Sequence, residues 1–510
     1  MSTQRPLPRR MIAIVPENGY ESPRSPESSG FFFGNGIHKE GERRRNPFAD
    51  SEDARVEDTD VEIKDTIAAE DNMEAACQEE QRKEDAPTRR TVGFRDRVGC
   101  YTWTWFTMTM ATGGIANVLH SIPYRSDWLR ILGVIVFLFN IVLFLVNCLF
   151  ITLRFRWNPG SFRGSFTSPS ESLFVPACVV SVGTILINMS QYGISETSEW
   201  FQRMMQVFFW AYVALSFLAS SGLYLIIWST QTFPIHTMTP IWIFPAYPLL
   251  LMAPFAANLI DALPNSAAAA RINAISITFG ALCIQGTGFL VSLMIYSAFI
   301  YRLMTQKLPR ETTRPGMFVS VGPSGFTVAG LVHLGNTVTP KVMPSGFQGN
   351  TDAAFVIKLL SDLAGLWMWG LCLWFFVVSV GAHWQVMPPR NPEHHIQFDM
   401  TWYLLPPLPL SHSPNPGTSD DCRFSFVFPN TALVTATQAL GKSLNSDGLK
   451  IFGTVMAVLL VVLWFFVFGM MIRALWLRRL LWPGEIDGAK ASRRRWIAKM
   501  EDAAAKEQRS

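Results

Sequence analysis

Between Ile131 and Thr152 the chain carries no charged side chain, and between Ile451 and Met471 it does the same again. A helix needs about 20 apolar residues to cross the hydrocarbon of a bilayer, and uncharged runs of this length read as membrane spans. A large soluble core is the alternative, but buried soluble helices seldom repeat such runs many times over. Composition agrees: 49% of the residues are hydrophobic, 16% are charged, and there are 38 Phe and 17 Trp. The charges are segregated, with most of them in residues 1–99 and 477–510. The fold class that follows is an all-α integral membrane protein.

Ten spanning segments are predicted from Gly99 onward, at about 99–120, 128–153, 172–193, 204–229, 240–262, 272–303, 315–338, 354–384, 424–441 and 449–475. Arg89, Arg90, Arg95 and Arg97 precede the first, and Arg473, Arg478, Arg479 and Arg493 to Arg495 follow the last. The positive-inside rule then places both tails in the cytosol, which requires an even number of spans. Residues 1–95 mix Glu, Asp, Arg, Pro and Ser, and bury too little apolar surface to offset ordering entropy. They are expected to form a disordered cytosolic tail, with a ten-helix domain over 96–478 and a basic cytosolic tail over 479–510. No signal peptide is read, because the first 90 residues hold no apolar core.

The segments are of two kinds, and they alternate. Even-numbered ones are continuous and bulky, as in Val134–Leu149, Leu366–Val380 and Val455–Met471. Odd-numbered ones carry breakers and small polar residues: Thr112-Gly113-Gly114 in the first, Pro176 in the third, Pro245, Pro248 and Pro254 in the fifth. Gly322-Pro323-Ser324-Gly325 interrupts the seventh and Pro429-Asn430-Thr431 the ninth. Broken backbone survives at membrane depth only where protein or water satisfies the freed groups. Five such helices are therefore expected to ring a central path, with the bulky five facing lipid. Close helix packing through small residues is the competing explanation.

Ionisable residues at membrane depth are scarce. Asp362 and His333 are the main ones, beside the uncharged Gln285, Asn188 and Gln438. Either ionisable group is a candidate for a role in transport, although Asp362 also suits a helix terminus. The sequon at Asn188 lies inside the third segment, so glycosylation there is not expected. Seven scattered cysteines give neither a disulfide framework nor a zinc spacing. No catalytic constellation, metal site, cofactor motif or nucleic-acid partner is read, which disfavours a membrane-embedded enzyme.

Five stretches carry a family resemblance: Phe106–Ala116 (FTMTMATGGIA), Pro240–Ala253 (PIWIFPAYPLLLMA), Gln285–Arg302 (QGTGFLVSLMIYSAFIYR), Arg314–Thr327 (RPGMFVSVGPSGFT) and Phe428–Thr431 (FPNT). They resemble fungal malic acid transporters of the tellurite-resistance/dicarboxylate transporter family, which is related to slow anion channels. The resemblance implies five helical hairpins around a pore of odd-numbered helices, a homotrimer with one pore per subunit, and a plasma-membrane location. The implied cargo is a small organic anion, malate or a related four-carbon dicarboxylate, moved with the proton gradient. A sulfite efflux pump or an anion channel on the same scaffold is the alternative. Phe428 matches the position of a pore-plugging phenylalanine. Thr112, Ser320, Ser324, Thr327 and Thr431 are expected to offer hydroxyls along the path, beside Gly113, Gly114, Gly322, Phe326 and Asn430, with Arg314 at the cytosolic mouth. Two features depart from the pattern. Ser168-Pro169-Ser170-Glu171 replaces an expected His-Pro opening, and 404–423 (LLPPLPLSHSPNPGTSDDCR) reads as an atypical insertion or retained intron.

Overall fold

The computed structural model describes residues 93–124, 126–194, 197–309, 311–343, 352–384, 427–476 and 481. The chain divides into two units, Met1–Arg90 and Thr91–Ser510, and everything described belongs to the second. The expected N-terminal tail up to residue 92, the 404–423 insertion and, apart from Leu481, the 479–510 tail lie outside the described residues, while Phe94 and Arg95, expected within the N-terminal tail, open the helix Phe94–Gly99.

Among the described residues the protein is all helical. The principal helices are α1 (Phe106–Ser121), α2 (Asp127–Trp157), α3 (Pro176–Gly193), α4 (Glu199–Thr230), α5 (Met252–Asp261), α6 (Ala274–Gln306), α7 (Val321–Lys341), α8 (Ala353–Trp384), α9 (Phe428–Ser443) and α10 (Asp447–Trp476). A 3₁₀ stretch, Pro240–Leu251, runs directly into α5, and another, Glu311–Ser320, runs into α7. Charges at the ends of the long helices complement the helix dipole. Asp127 opens α2 and Arg154 and Arg156 close it, while Asp447 opens α10 and Arg473 closes it.

Seven segments are long and apolar enough to cross a membrane: α2, α4, Pro240–Asp261, α6, Arg314–Thr337, α8 and α10. Burial sorts them into two groups. The spans in α2, α4, α6, α8 and α10 are between 22% and 33% buried, whereas Pro240–Asp261 is 100% and Arg314–Thr337 is 83% buried. The outer group exposes Trp128, Leu145, Leu218, Trp228, Met294, Trp367, Val462 and Phe465 among others. An apolar surface of that extent is tolerable only against lipid or a partner. The three remaining segments, α1, α3 and α9, fall below the length or hydropathy that marks a span by itself, and they are largely buried. The even-span argument for tail orientation therefore depends on these three crossing as well.

The buried segments touch in closed order. α1 packs on α3, α3 on Pro240–Asp261, that segment on α7, α7 on α9, and α9 back on α1. Each is also packed against the exposed helix that follows it.

Two expectations about helix interruption need correction. Pro176 and Pro429 lie in the first turns of α3 and α9, where a missing N–H costs nothing, so they start helices rather than kink them. The first segment is not one helix from Gly99. A short helix, Phe94–Gly99, and a 3₁₀ turn, Trp103–Trp105, precede α1, which then runs unbroken through Gly113 and Gly114.

The true breaks are in the fifth and seventh segments, and neighbours satisfy them. Pro323 removes the donor that would have met the Val319 carbonyl, and Tyr247 Oη donates there instead at 2.5 Å. Tyr296 Oη donates to the Ser320 carbonyl at 2.6 Å and Cys372 Sγ to that of Val321 at 3.3 Å. In the fifth segment Tyr224 Oη donates to the Trp242 carbonyl at 3.1 Å, and Gln285 Oε1 accepts from Ala253 N at 3.1 Å.

Candidate functional site

Two cavities lie inside the ring of buried segments, one at each end. The first is lined by Thr107, Met110, Phe174, Ile241, Phe244, Val319, Phe428 and Pro429, all from the N-terminal ends of the inner segments. It encloses about 20 Å³, room for a single water. Its side chains are almost wholly apolar, but helix N-termini point toward it and carry partial positive charge.

The second cavity opens among the C-terminal halves of the same segments. It encloses about 80 Å³ and is lined by Asn117, His120, Asn258, Asp261, His333, Asn336, Thr435 and Lys442, with Phe326 and Ala329 toward its inner end. Gln191 from α3 donates to Asn117 Oδ1 at 2.6 Å and to Asn258 Oδ1 at 2.9 Å, tying three inner helices together. His333 Nε2 is 3.2 Å from Asp261 Oδ2, and Lys341 Nζ is 3.7 Å from Asp261 Oδ1.

Aromatic rings separate the cavities. Phe428 borders the first and Phe326 the second, with ring centroids 5.1 Å apart. Tyr247 closes the other side of Phe428 at 6.1 Å. Phe428 is 1% and Phe326 2% exposed.

Of the residues expected along the path, Phe428 and Phe326 are therefore brought together, between the two cavities. The hydroxyls are directed elsewhere. Thr112 Oγ1 donates to Met108 O and receives Trp464 Nε1, while Ser320, Ser324 and Thr431 donate to carbonyls three residues earlier in their own segments. Thr327 Oγ1 donates to Pro323 O and receives Gln285 Nε2. Asn430 is 9% exposed beside Phe428. Arg314 donates to the carbonyls of Pro309 and Ala382, fastening the start of the seventh segment to α8.

The glycines mark close approaches. A Cβ on Gly113 would lie 2.6 Å from Thr184 Oγ1, one on Gly114 2.9 Å from Thr431 Cγ2, and one on Gly322 2.2 Å from Tyr247 Oη. Asp362 accepts from Ser443 Oγ at 2.6 Å, joining α8 to the end of α9. Asn188 is buried, with Nδ2 bonded to the Gly113 carbonyl at 3.0 Å. Sequence reasoning missed His120, Asn258, Asp261 and Lys442. Their signal was position alone, polar residues one helical turn apart at the same end of each odd-numbered segment.

An apolar, exposed helical shell around buried, locally broken segments, with cavities at both ends of its interior, defines a multi-pass membrane protein. Residues 100–472 match the voltage-dependent anion channel family, and the chain belongs to it. It is 28% identical over 398 residues to the malic acid transport protein of Schizosaccharomyces pombe, covering 78% of this chain and 84% of that one. A second protein of that yeast is 27% identical over 390 residues, 76% of this chain and 83% of its own. The sulfite efflux pump SSU1 of Trichophyton rubrum is 22% identical over 369 residues, 72% of this chain and 88% of that one.

Proposed function

We propose that the protein carries malate and related four-carbon dicarboxylates across the plasma membrane along the line of the two cavities, coupled to the proton gradient. The observation that supports this most is the pair of cavities lying end to end inside one closed ring, parted by Phe326 and Phe428. The similarity to a malic acid transport protein favours a dicarboxylate anion. In this reading α1, α3 and α9 cross the membrane with the other seven segments, giving ten spans in five hairpins. Both tails are then cytosolic, and the apolar cavity faces the cytosol. Three such subunits assemble through their exposed helices, each with its own path.

Phe428 is the gate. An apolar constriction excludes hydrated ions by making them shed water with nothing in return. The second reading, sulfite efflux, draws on the similarity to the sulfite pump. Uptake of labelled malate and labelled sulfite by vesicles containing purified protein separates them. Saturable malate uptake that sulfite inhibits weakly supports the first reading. Sulfite flux without malate flux overturns it.

A further inference from the structure

A side-chain amide presents a donor on one edge and an acceptor on the other, and only the donor edge suits an anion. Three amides meet at the wider cavity: Asn117 near the end of α1, Gln191 near the end of α3 and Asn258 near the end of α5. Asn117 and Asn258 line the cavity, and Gln191, 6% exposed, bonds to both.

Which edge each amide presents follows from a backbone group. Asn258 Nδ2 lies 2.7 Å from the Pro254 carbonyl, which can only accept, so Asn258 must turn its oxygen the other way. That oxygen lies 2.9 Å from Gln191, which must therefore offer Nε2. The same nitrogen lies 2.6 Å from the Asn117 amide, which must answer with Oδ1. Asn117 Nδ2 is the edge left over, and among the described residues none accepts from it. Gln191 Oε1, at the far side of this relay, is buried with no hydrogen-bond partner among the described residues. A buried acceptor left unmet is costly. An amide that served only to clasp helices together would be better placed with both edges bonded, so the arrangement calls for a second purpose. The acid of the same cavity wall, Asp261, is already engaged, with His333 Nε2 at 3.2 Å and Lys341 Nζ at 3.7 Å.

We propose that Gln191 is a positioning residue for the cargo: it holds the Asn117 amide so that Nδ2 donates to an anionic oxygen of a carboxylate in the wider cavity. The proposal rests on the anion-carrying function above and names one group that meets the cargo there. A carboxylate oxygen only accepts, so Asn117 Nδ2 binds it and Asn117 Oδ1 repels it. Without the Gln191 donor the Asn117 amide is free to turn, and for part of the time it shows the cavity its oxygen.

The test is equilibrium binding of labelled malate to full-length protein in lipid nanodiscs, run as a double-mutant cycle. Asn117→Ala removes the donor and is expected to raise the dissociation constant about tenfold. Gln191→Met keeps the length of the side chain but has nothing to donate, and is expected to raise it about threefold. In the Asn117→Ala background Gln191→Met should leave binding nearly unchanged, because the amide it positions is gone. A glutamine that only clasped helices would weaken binding by the same factor in both backgrounds. Equal factors therefore overturn the proposal, as does an Asn117→Ala protein that binds as wild type does. Gln191→Glu carries the same cycle if Gln191→Met fails to fold, since its carboxylate only accepts and turns Asn117 Nδ2 away from the cavity. Its loss should be at least about threefold larger beside Asn117 than in the Asn117→Ala background. A wild type that binds sulfite or chloride but not malate overturns the dicarboxylate reading alone, and that anion then replaces malate in the same cycle.

Discussion

Phe428 offers an ion nothing but a ring. It has 1% exposure and packs between Phe326 and Tyr247, so on the proposed path an anion must either shed its water or wait for the ring to move. Phe428→Ala removes that barrier and is expected to raise passive anion flux through reconstituted vesicles, read as faster collapse of an imposed chloride gradient. The substitution also empties a well-packed site, at a cost of about 3–5 kcal/mol for a buried Phe, so melting should fall in step with the rise in flux. Unchanged flux through a folded variant would remove Phe428 as the gate. The polar residues chosen from the sequence fared differently. A threonine or serine inside a membrane helix has a carbonyl of its own turn within reach, and the path hydroxyls take that option.

At the scale of the element, glycine records where helices meet. A Cβ on Gly330 of α7 would lie 2.5 Å from Ala253 Cβ and 2.6 Å from Pro254 Cδ, so Gly330→Ala forces α7 off the fifth segment. That should cost about 1–3 kcal/mol and lower the melting temperature in detergent. Gly370 of α8 has nothing within 4 Å, and Gly370→Ala should be neutral or stabilise by up to about 1 kcal/mol. Equal effects at the two positions would mean that α7 and the fifth segment are not so closely packed. The division into bulky and broken helices was legible because lipid and interior demand different side chains, and burial follows that division. The form of each interruption was less legible. A proline within a run looks the same on paper whether it starts a helix, as Pro176 and Pro429 do, or breaks one, as Pro245 and Pro248 do. Only the position of the helix start tells them apart. Asp261 was overlooked for a related reason: it ends its segment like any boundary residue, and its partners His333 and Lys341 come from a helix more than 70 residues later.

For the whole molecule, the proposed path sets which form of the cargo is expected to pass. Between the cavities an anion on that path meets the Phe326–Phe428 contact, with no charged side chain among the residues lining the first, apolar cavity. Each carboxylate pays its own desolvation cost, so a dianion with two of them faces at least about twice the penalty of a monoanion there. The singly protonated acid is accordingly the form expected to cross, and acidifying the outside raises its share while steepening the proton gradient. Initial rates of labelled malate uptake should rise as external pH falls from 7 to 5 and collapse when an uncoupler dissipates the gradient. Rates indifferent to both pH and uncoupler would leave passive conduction as the only function compatible with this path.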